Sequence, residues 1–558
     1  GNIEIPYYTD PNRPDRIISI SAHVYNNGVW TELDQKDIYE TQINEFWRAK
    51  TFSLPKLTEG SIIEYKFILE SPRVHTLETW YFQESIPVKL SQLELKFENY
   101  FNFLFLINQE SRLIFDKKER VVPNDLGIQS LREYNFIYKM ANLPAIKPES
   151  HVTTLKNHIA KIEFQLLEFN HPKFGRNIFL EEWEDLAIRL KKDVNFGTQY
   201  NKAKNVKDIL AAFQNEEKTL LKGEALIEQA YNFLLKHVSW NGKYGLLTDQ
   251  PISKVFANKS GSGVEMNLMM VALLRALNVD AKPALLSTRD HGKYVKSHPI
   301  VSQFNHVICT YSIDGKEGLI DVAHIAYPYD LLPLNSLNNE ALMLLDKGVE
   351  WKKITPKKSR SAYQYQLSFT DDQAQGSLNA VFNGYPQAYF KSMANTESGK
   401  EALQNLFTSN IELLDFETIL EPSFKVNFEL IDESLELDAD YMYISPVIVD
   451  EYFDIPFKQK KRSYPVEFAA PESFQFFAKI DIPDGYVVQE LPENMKLTMS
   501  SNRMVMTYIV NQEPDHVSIN FKHQINELTY GEGAYQQLKD YYTKMAEKLG
   551  EQIVFKKE

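Results

Sequence analysis

The segment KSGSGVEMNLMMVALLRALNVDA, residues 259–281, constrains this chain more than any other, because most of it reads as a helix that is apolar on nearly every face. Such a helix is stable only when other elements enclose it, so Met266, Met269 and Met270 are core filling and a layered domain must be built around them. The glycine-serine turn ahead of it sets the start. Ser262, with Glu265 three residues later, forms a capping box: the serine oxygen accepts from the Glu265 amide while the Glu265 carboxylate accepts from the Ser262 amide. The helix therefore begins at Gly263, where its half-positive end would lower a thiol's pKa or stabilise an oxyanion. Gly263 and Val264 are the residues placed to use that end, and neither carries a nucleophilic atom.

Downstream, FNHVICTYSIDGKEGLIDVA reads as two strands joined at Asp314-Gly315. A two-residue turn there sets His306 opposite Ala323 and diagonal to Asp321 on one face, within reach of an imidazole and a carboxylate. Such a pair supplies the base and the orienting acid of a nucleophilic triad, and it also occurs as a purely structural contact. Cys309 is the single cysteine. It lies three residues past His306 on the opposite strand face and is expected as a small buried hydrophobe. One cysteine excludes an internal disulfide and the cysteine-built zinc sites.

Periodicity divides the 558 residues into three parts. Residues 1–145 read as strands punctuated by Pro and Gly, with Ile63, Tyr65, Phe67 and Leu69 alternating, which predicts a β-sandwich. Residues 146–352 contain helical patterns, LEEWEDLAIRLKKDV and LKGEALIEQAYNFLLKHVSW, before the central helix and the hairpin. Residues 353–558 return to strands, with a turn at Pro483-Asp484-Gly485 and a last amphipathic helix, GAYQQLKDYYTKMAEKL. A net charge of −14 argues against nucleic acid as the main ligand. The one dense basic run, Lys458–Arg462, is expected to be a solvated loop. No apolar run reaches the roughly 18 to 20 residues that cross a bilayer. The sequence opens at Gly1 without a methionine or a basic-then-apolar leader, as expected of a processed or trimmed product, so localisation has to be argued indirectly.

On three motifs the central part resembles the transglutaminase-like superfamily, whose members share a papain-like cysteine-histidine-aspartate core. SGSGVEMN corresponds to the motif that opens the family's central helix, FNHVI to its histidine strand and LIDVA to its aspartate strand. Carried over by position, Gly261 matches the motif glycine, Gly263 stands where the catalytic cysteine belongs, Glu265 where the acid belongs, and His306 and Asp321 complete the triad. VSWNGKYG is similar to the family's tryptophan-bearing segment, which makes Trp240 a wall of the site. The flanking parts resemble the N-terminal β domain of unknown function and the C-terminal β domain that accompany this core in many Gram-negative bacterial proteins. That resemblance implies export, to the periplasm or the outer surface.

The expected fold class is thus α+β: a β-sandwich N-terminal domain at 1–145, a transglutaminase-like core at 146–352 and a β-rich C-terminal domain with a terminal helix at 353–558. Without a thiol at 263 the family's acyl-enzyme chemistry cannot start. The leading expectation is a catalytically inactive binding or scaffold module of the bacterial envelope. It would take a protein or peptide partner, such as an envelope protein, and no nucleic acid, cofactor or metal. The competing reading is a peptidase, amidase or transglutaminase-type acyl transferase using a non-cysteine nucleophile such as Ser262. Against it, Ser262 is needed as the cap, lies one position from the motif cysteine, and lacks the glycines of Gly-x-Ser-x-Gly. A phosphate loop fails because no Lys-Ser or Lys-Thr follows the turn. His306, Asp321 and His324, with His291 and His298 nearby, suit a metal in donor type, but His324 sits at the sheet end, where a structural or solvent-facing role is expected.

Overall fold

The structure is a computed structural model that describes residues 2–9, 13–44, 46–73, 77–109, 112–121, 131–179, 182–324, 326–370, 374–393, 397–408, 410–419, 424–432, 435–436 and 439–558. It divides into two compact units, one of residues 1–145 with 160–180 and one of residues 146–159 with 181–558.

The first unit is built of β-sheets. Strands Asn2–Tyr8, Trp47–Ser53 and Ile38–Gln42 form one antiparallel sheet, and Val29–Glu32, Arg16–Asn26 and Ile62–Glu70 another. They share a small core of Ile5, Ile20, Ala22, Val24, Leu33 and Phe52. Here the inward residues come from Arg16–Asn26, whereas Ile63, Tyr65 and Phe67 of the edge strand Ile62–Glu70 are exposed, contrary to their expected place on a buried face. An alternating strand at a sheet edge leaves the core to its neighbour. A second core, around Phe82, Tyr138, Met140 and Ile162, lies between the sheet of Ile114–Val121, Arg132–Leu143 and Val88–Glu98 and the sheet that holds Lys161–His171. Lys161–His171 pairs with Phe101–Ile107, so residues 160–180, read from the sequence as part of the helical region, return to the first unit. Alternation along KIEFQLLEFNH specifies a strand but not the sheet it joins.

The second unit contains the central helix, Gly263–Ala276, with twelve of its fourteen residues buried. Helices Gly197–Asn201, Ala203–Glu216, Glu224–His237 and Ile252–Asn258 pack around it on one side. On the other lies a five-stranded antiparallel sheet, in the order Lys316–Ile320, His306–Ile313, Asp280–Leu286, Glu340–Leu344, Val349–Lys353. Being enclosed by both layers is why this helix has no polar face. The Asp314-Gly315 turn is present, with φ of 50° and 76°, the left-handed values a two-residue hairpin requires. It sets Ile313 against Lys316 and Cys309 against Ile320. The paired strand ends at Ile320, so Asp321 and Ala323 lie just beyond the ladder and not within it.

An eight-stranded sheet follows, antiparallel except where Ser359–Phe369 runs parallel to Glu472–Asp481. Ala374–Asn383 alternates buried and exposed residues along its length. The buried face packs against helices Tyr385–Met393 and Tyr535–Leu549 and a three-stranded sheet of Tyr441–Ile444, Ile553–Lys557 and Tyr486–Glu490. The run Lys458–Arg462 is not uniformly solvated. Arg462 is buried, 3.3 Å from Glu149, and donates to the Tyr464 carbonyl. A guanidinium with a carboxylate and several carbonyls around it tolerates burial that a row of free lysines would not.

Candidate functional site

The N-terminus of the central helix is fixed as its sequence requires. Ser262 accepts from the Glu265 amide, and Glu265 accepts in return from the Ser262 amide at 2.8 Å. The other Glu265 oxygen takes the amides of Asp249 and Gln250, both at 3.2 Å. A fully buried carboxylate is thereby held by three backbone N–H groups. Ser262 is itself buried, and its hydroxyl oxygen serves the capping box.

His306 and Asp321 meet in the interior, His306 Nε2 to Asp321 Oδ2 at 2.9 Å, with both side chains fully enclosed. Asp321 also accepts from Asn267 Nδ2 at 2.9 Å, Ser336 Oγ at 2.7 Å and the Ala323 amide at 3.1 Å. Burial alone would raise its pKa, but His306, Asn267 and Ser336 together hold it well below the usual carboxylate range. Asn267 ties this group to the helix, since its Nδ2 also donates to the Gly263 carbonyl at 3.0 Å and its Oδ1 accepts from the Val322 amide.

The opposite edge of the His306 ring faces Gly263. A Cβ built on Gly263 would lie 2.6 Å from His306 Cε1 and 3.0 Å from Nδ1. That spacing is closer than a Cβ contact tolerates, so a side chain at 263 is admitted only if the imidazole moves. Nδ1 has no hydrogen-bond partner and is buried. The Gly263 amide, which an oxyanion at this helix end would need, already donates to the Lys243 carbonyl at 2.9 Å. His306 is covered by Tyr244, whose ring is 4.6 Å away edge-on. Trp240, expected as the wall, stands one layer back: it packs on Tyr244 at 5.3 Å and on His324 at 4.4 Å. Its segment is positioned by a short parallel pairing of Ser239 and Trp240 with Ser260 and Gly261.

The sequence residues thus divide. Gly263, His306, Asp321 and Glu265 converge at one helix end, whereas no hydrogen bond joins Ser262 to His306. Among the described residues no three histidine, cysteine, aspartate or glutamate side chains converge as a metal would need. His324 contacts Tyr244 Oη at 3.2 Å, and burial lowers its pKa. His291 bonds Ser287, and His298 bonds Ser297. Cys309 is buried on the far side of its strand, and burial pushes its thiol up. Sequence reasoning missed Asn267, Ser336 and Tyr244. Asn267 carried a signal, a lone amide in a helix otherwise enclosed by apolar residues, which must find partners.

Residues 440–555 match the family model of a domain of unknown function with a solved structure, DUF3858. No curated protein matches the chain. The fold is similar to that of a "putative protease" from Parabacteroides distasonis, at a TM-score of 0.60 and 10% identity, covering 100% of this chain and 92% of that one. A "putative cysteine protease" from Cytophaga hutchinsonii aligns over 62% of this chain and 80% of that chain, at 9% identity and a TM-score of 0.20, which adds nothing to the fold argument. At such identities the likeness is one of fold. The fold is β-rich with the described helices concentrated in the second unit, and no described helix is long and apolar enough to cross a membrane.

Proposed function

We propose that this chain is a transglutaminase-like protein of the bacterial envelope that has given up catalysis and serves as a binding or scaffold module. The observation that carries this reading is the fully buried imidazole of His306, 2.6 Å from where a Cβ at 263 would lie and too close to admit one unless it moves. A general base acts on a nucleophile within about 3 Å, and His306 Nδ1 has neither a hydroxyl nor a thiol beside it. The Lys243 carbonyl on the Gly263 amide removes the helix-end donor as well. What remains of the triad is a buried network that binds the central helix to the strand ends, a structural use of the same residues.

The rival reading, Ser262 as nucleophile, needs that hydroxyl to leave its cap and His306 to turn toward it. Turnover of a labelled mixture of peptides and proteins tests both, with amide hydrolysis and amine incorporation scored for the chain and its His306→Ala variant. The proposal expects neither activity in either protein. Activity that the variant loses would replace it with the enzyme reading.

A further inference from the structure

A cavity of about 700 Å³ lies within the second unit, between the helix Tyr385–Met393, the strands Ser359–Phe369 and Glu472–Asp481, and the loop that carries Arg289. Phe382, Tyr385, Tyr389, Phe390 and Phe468 give it aromatic walls. Leu334, Tyr385 and Tyr389 also line a second cavity of about 490 Å³ that reaches Trp240 and His324. The larger cavity is therefore apolar in its body, and its charged lining groups are few enough to take one by one.

Arg289 is the one permanent cation of that lining. Its side chain makes a single hydrogen bond among the described residues, Nη2 to Thr153 Oγ1 at 2.9 Å, and no ion pair. Other arginines with restricted exposure hold carboxylates, as Arg73 does Asp15 at 2.6 Å and Arg462 does Glu149. Glu467 is nearby but occupied, accepting from the Thr153 amide at 3.1 Å and facing Lys293 at 3.7 Å. Glu472 accepts from Tyr452 Oη at 3.4 Å and makes no ion pair with Arg289, and burial raises its pKa. Burial lowers the pKa of His151 and keeps that imidazole neutral. A half-buried guanidinium whose nearby carboxylate, Glu467, makes no ion pair with it and is bonded instead to Thr153 and Lys293 is only partly compensated in the free protein, and an entering carboxylate completes the compensation. The planar fork matches a carboxylate with two parallel N–H···O bonds. A phosphate dianion is the poorer match, because one arginine beside Glu467 cannot balance two charges.

We propose that this cavity binds a carboxylate joined to an aromatic or bulky apolar group, the carboxylate on Arg289 and the apolar part on the rings of Tyr385, Tyr389 and Phe390. The proposal rests on the binding-module reading above and deepens it by moving the ligand away from the sealed His306. Two sources share this chemistry, a free aryl acid and the C-terminal carboxylate of a peptide.

Calorimetric titration of the full chain with 4-phenylbutyrate and with N-acetyl-Phe-Phe, each beside its primary amide, tests it. At least one acid should bind, with its amide weaker by about tenfold or more, the size of a charge-assisted hydrogen-bond pair. Arg289→Met should abolish the preference for acid over amide. Tyr389→Ala, a change at a half-exposed ring, should weaken acid and amide alike without unfolding the chain. Binding of the peptide acid alone identifies a peptide C-terminus, and binding of phenylbutyrate alone identifies a free acid. No binding of either acid at millimolar concentration, equal binding of acid and amide, or an acid preference that survives in Arg289→Met overturns the proposal. Turnover of peptides would overturn the non-catalytic reading and leave this result standing.

Discussion

Two polar centres of the second unit treat burial in opposite ways. At His306 and Asp321 nearly every donor and acceptor is paired inside the protein, and nothing is exposed. At Arg289 the charge has one hydroxyl partner, a nearby carboxylate, Glu467, that is bonded elsewhere, and a cavity. A network whose one unpartnered atom, His306 Nδ1, is enclosed between Gly263 and Tyr244 offers a ligand no approach and contributes stability and a single arrangement. An unsaturated charge beside aromatic walls contributes little to stability and keeps that capacity. The residues that look most like an active site in the sequence are thus the less available of the two.

The largest effect that would sharpen this contrast is at Asp321. Asp321→Ala strips partners from His306, Asn267 and Ser336 at once and should cost about 3–5 kcal/mol in chemical denaturation, the range for breaking a buried pair. A cost below about 1 kcal/mol would mean that the network is not what holds the helix end.

A second buried histidine supplies a control. His523 lies among Tyr452, Tyr541 and Tyr542 with neither ring nitrogen partnered, and burial depresses its pKa from 6.5 to about 3. The unfolded chain takes up a proton below about 6.5 while the folded chain refuses it until about 3, so this histidine lowers stability as pH falls through that window. At pH 4.5 the penalty is on the order of 2 kcal/mol. His523→Phe should flatten the decline of the thermal midpoint between pH 6.5 and 4.5, and an unchanged slope would refute the assignment.

Gly263→Ala comes next. Its Cβ meets the His306 ring at 2.6 Å, and displacing a ring that is pinned at its other nitrogen should cost about 1–3 kcal/mol. Gly263→Cys should carry the same cost and yield a thiol beside His306 at a helix N-terminus. Beside the imidazole that thiol's pKa should fall below the free value of about 8.5, read from the ultraviolet absorbance of the thiolate against pH. A thiol pKa at or above the free value would break the correspondence drawn between Gly263 and the motif cysteine. The smallest effect is Ser262→Ala, about 1 kcal/mol for the lost cap, with no change in any activity.

How much of this was legible depends on how local the information is. The helix start at Gly263 and the turn at Asp314-Gly315 are written in four and two adjacent residues, and both are present as read. The His306–Asp321 contact follows from that turn, although Asp321 reaches it from beyond the end of its strand. Ser336 joins the same carboxylate from a distant loop with no sequence pattern to announce it. The Gly263–His306 proximity was implied by the resemblance, but not that the ring would close over the gap. The cavity at Arg289 was invisible, because it is assembled from segments scattered between residues 151 and 472. Edge and centre strands were likewise indistinguishable by alternation, so the exposed face of Ile62–Glu70 could not be foreseen.

The central claim, that the His306 centre is structural and performs no acyl chemistry, is tested most directly by turnover of labelled peptide and protein substrates by the purified chain and by His306→Ala. Absence of both hydrolysis and amine incorporation in the two proteins, alongside lowered stability of the variant, is the predicted result. Activity in the chain that disappears in His306→Ala would contradict it and make Ser262 the first residue to replace.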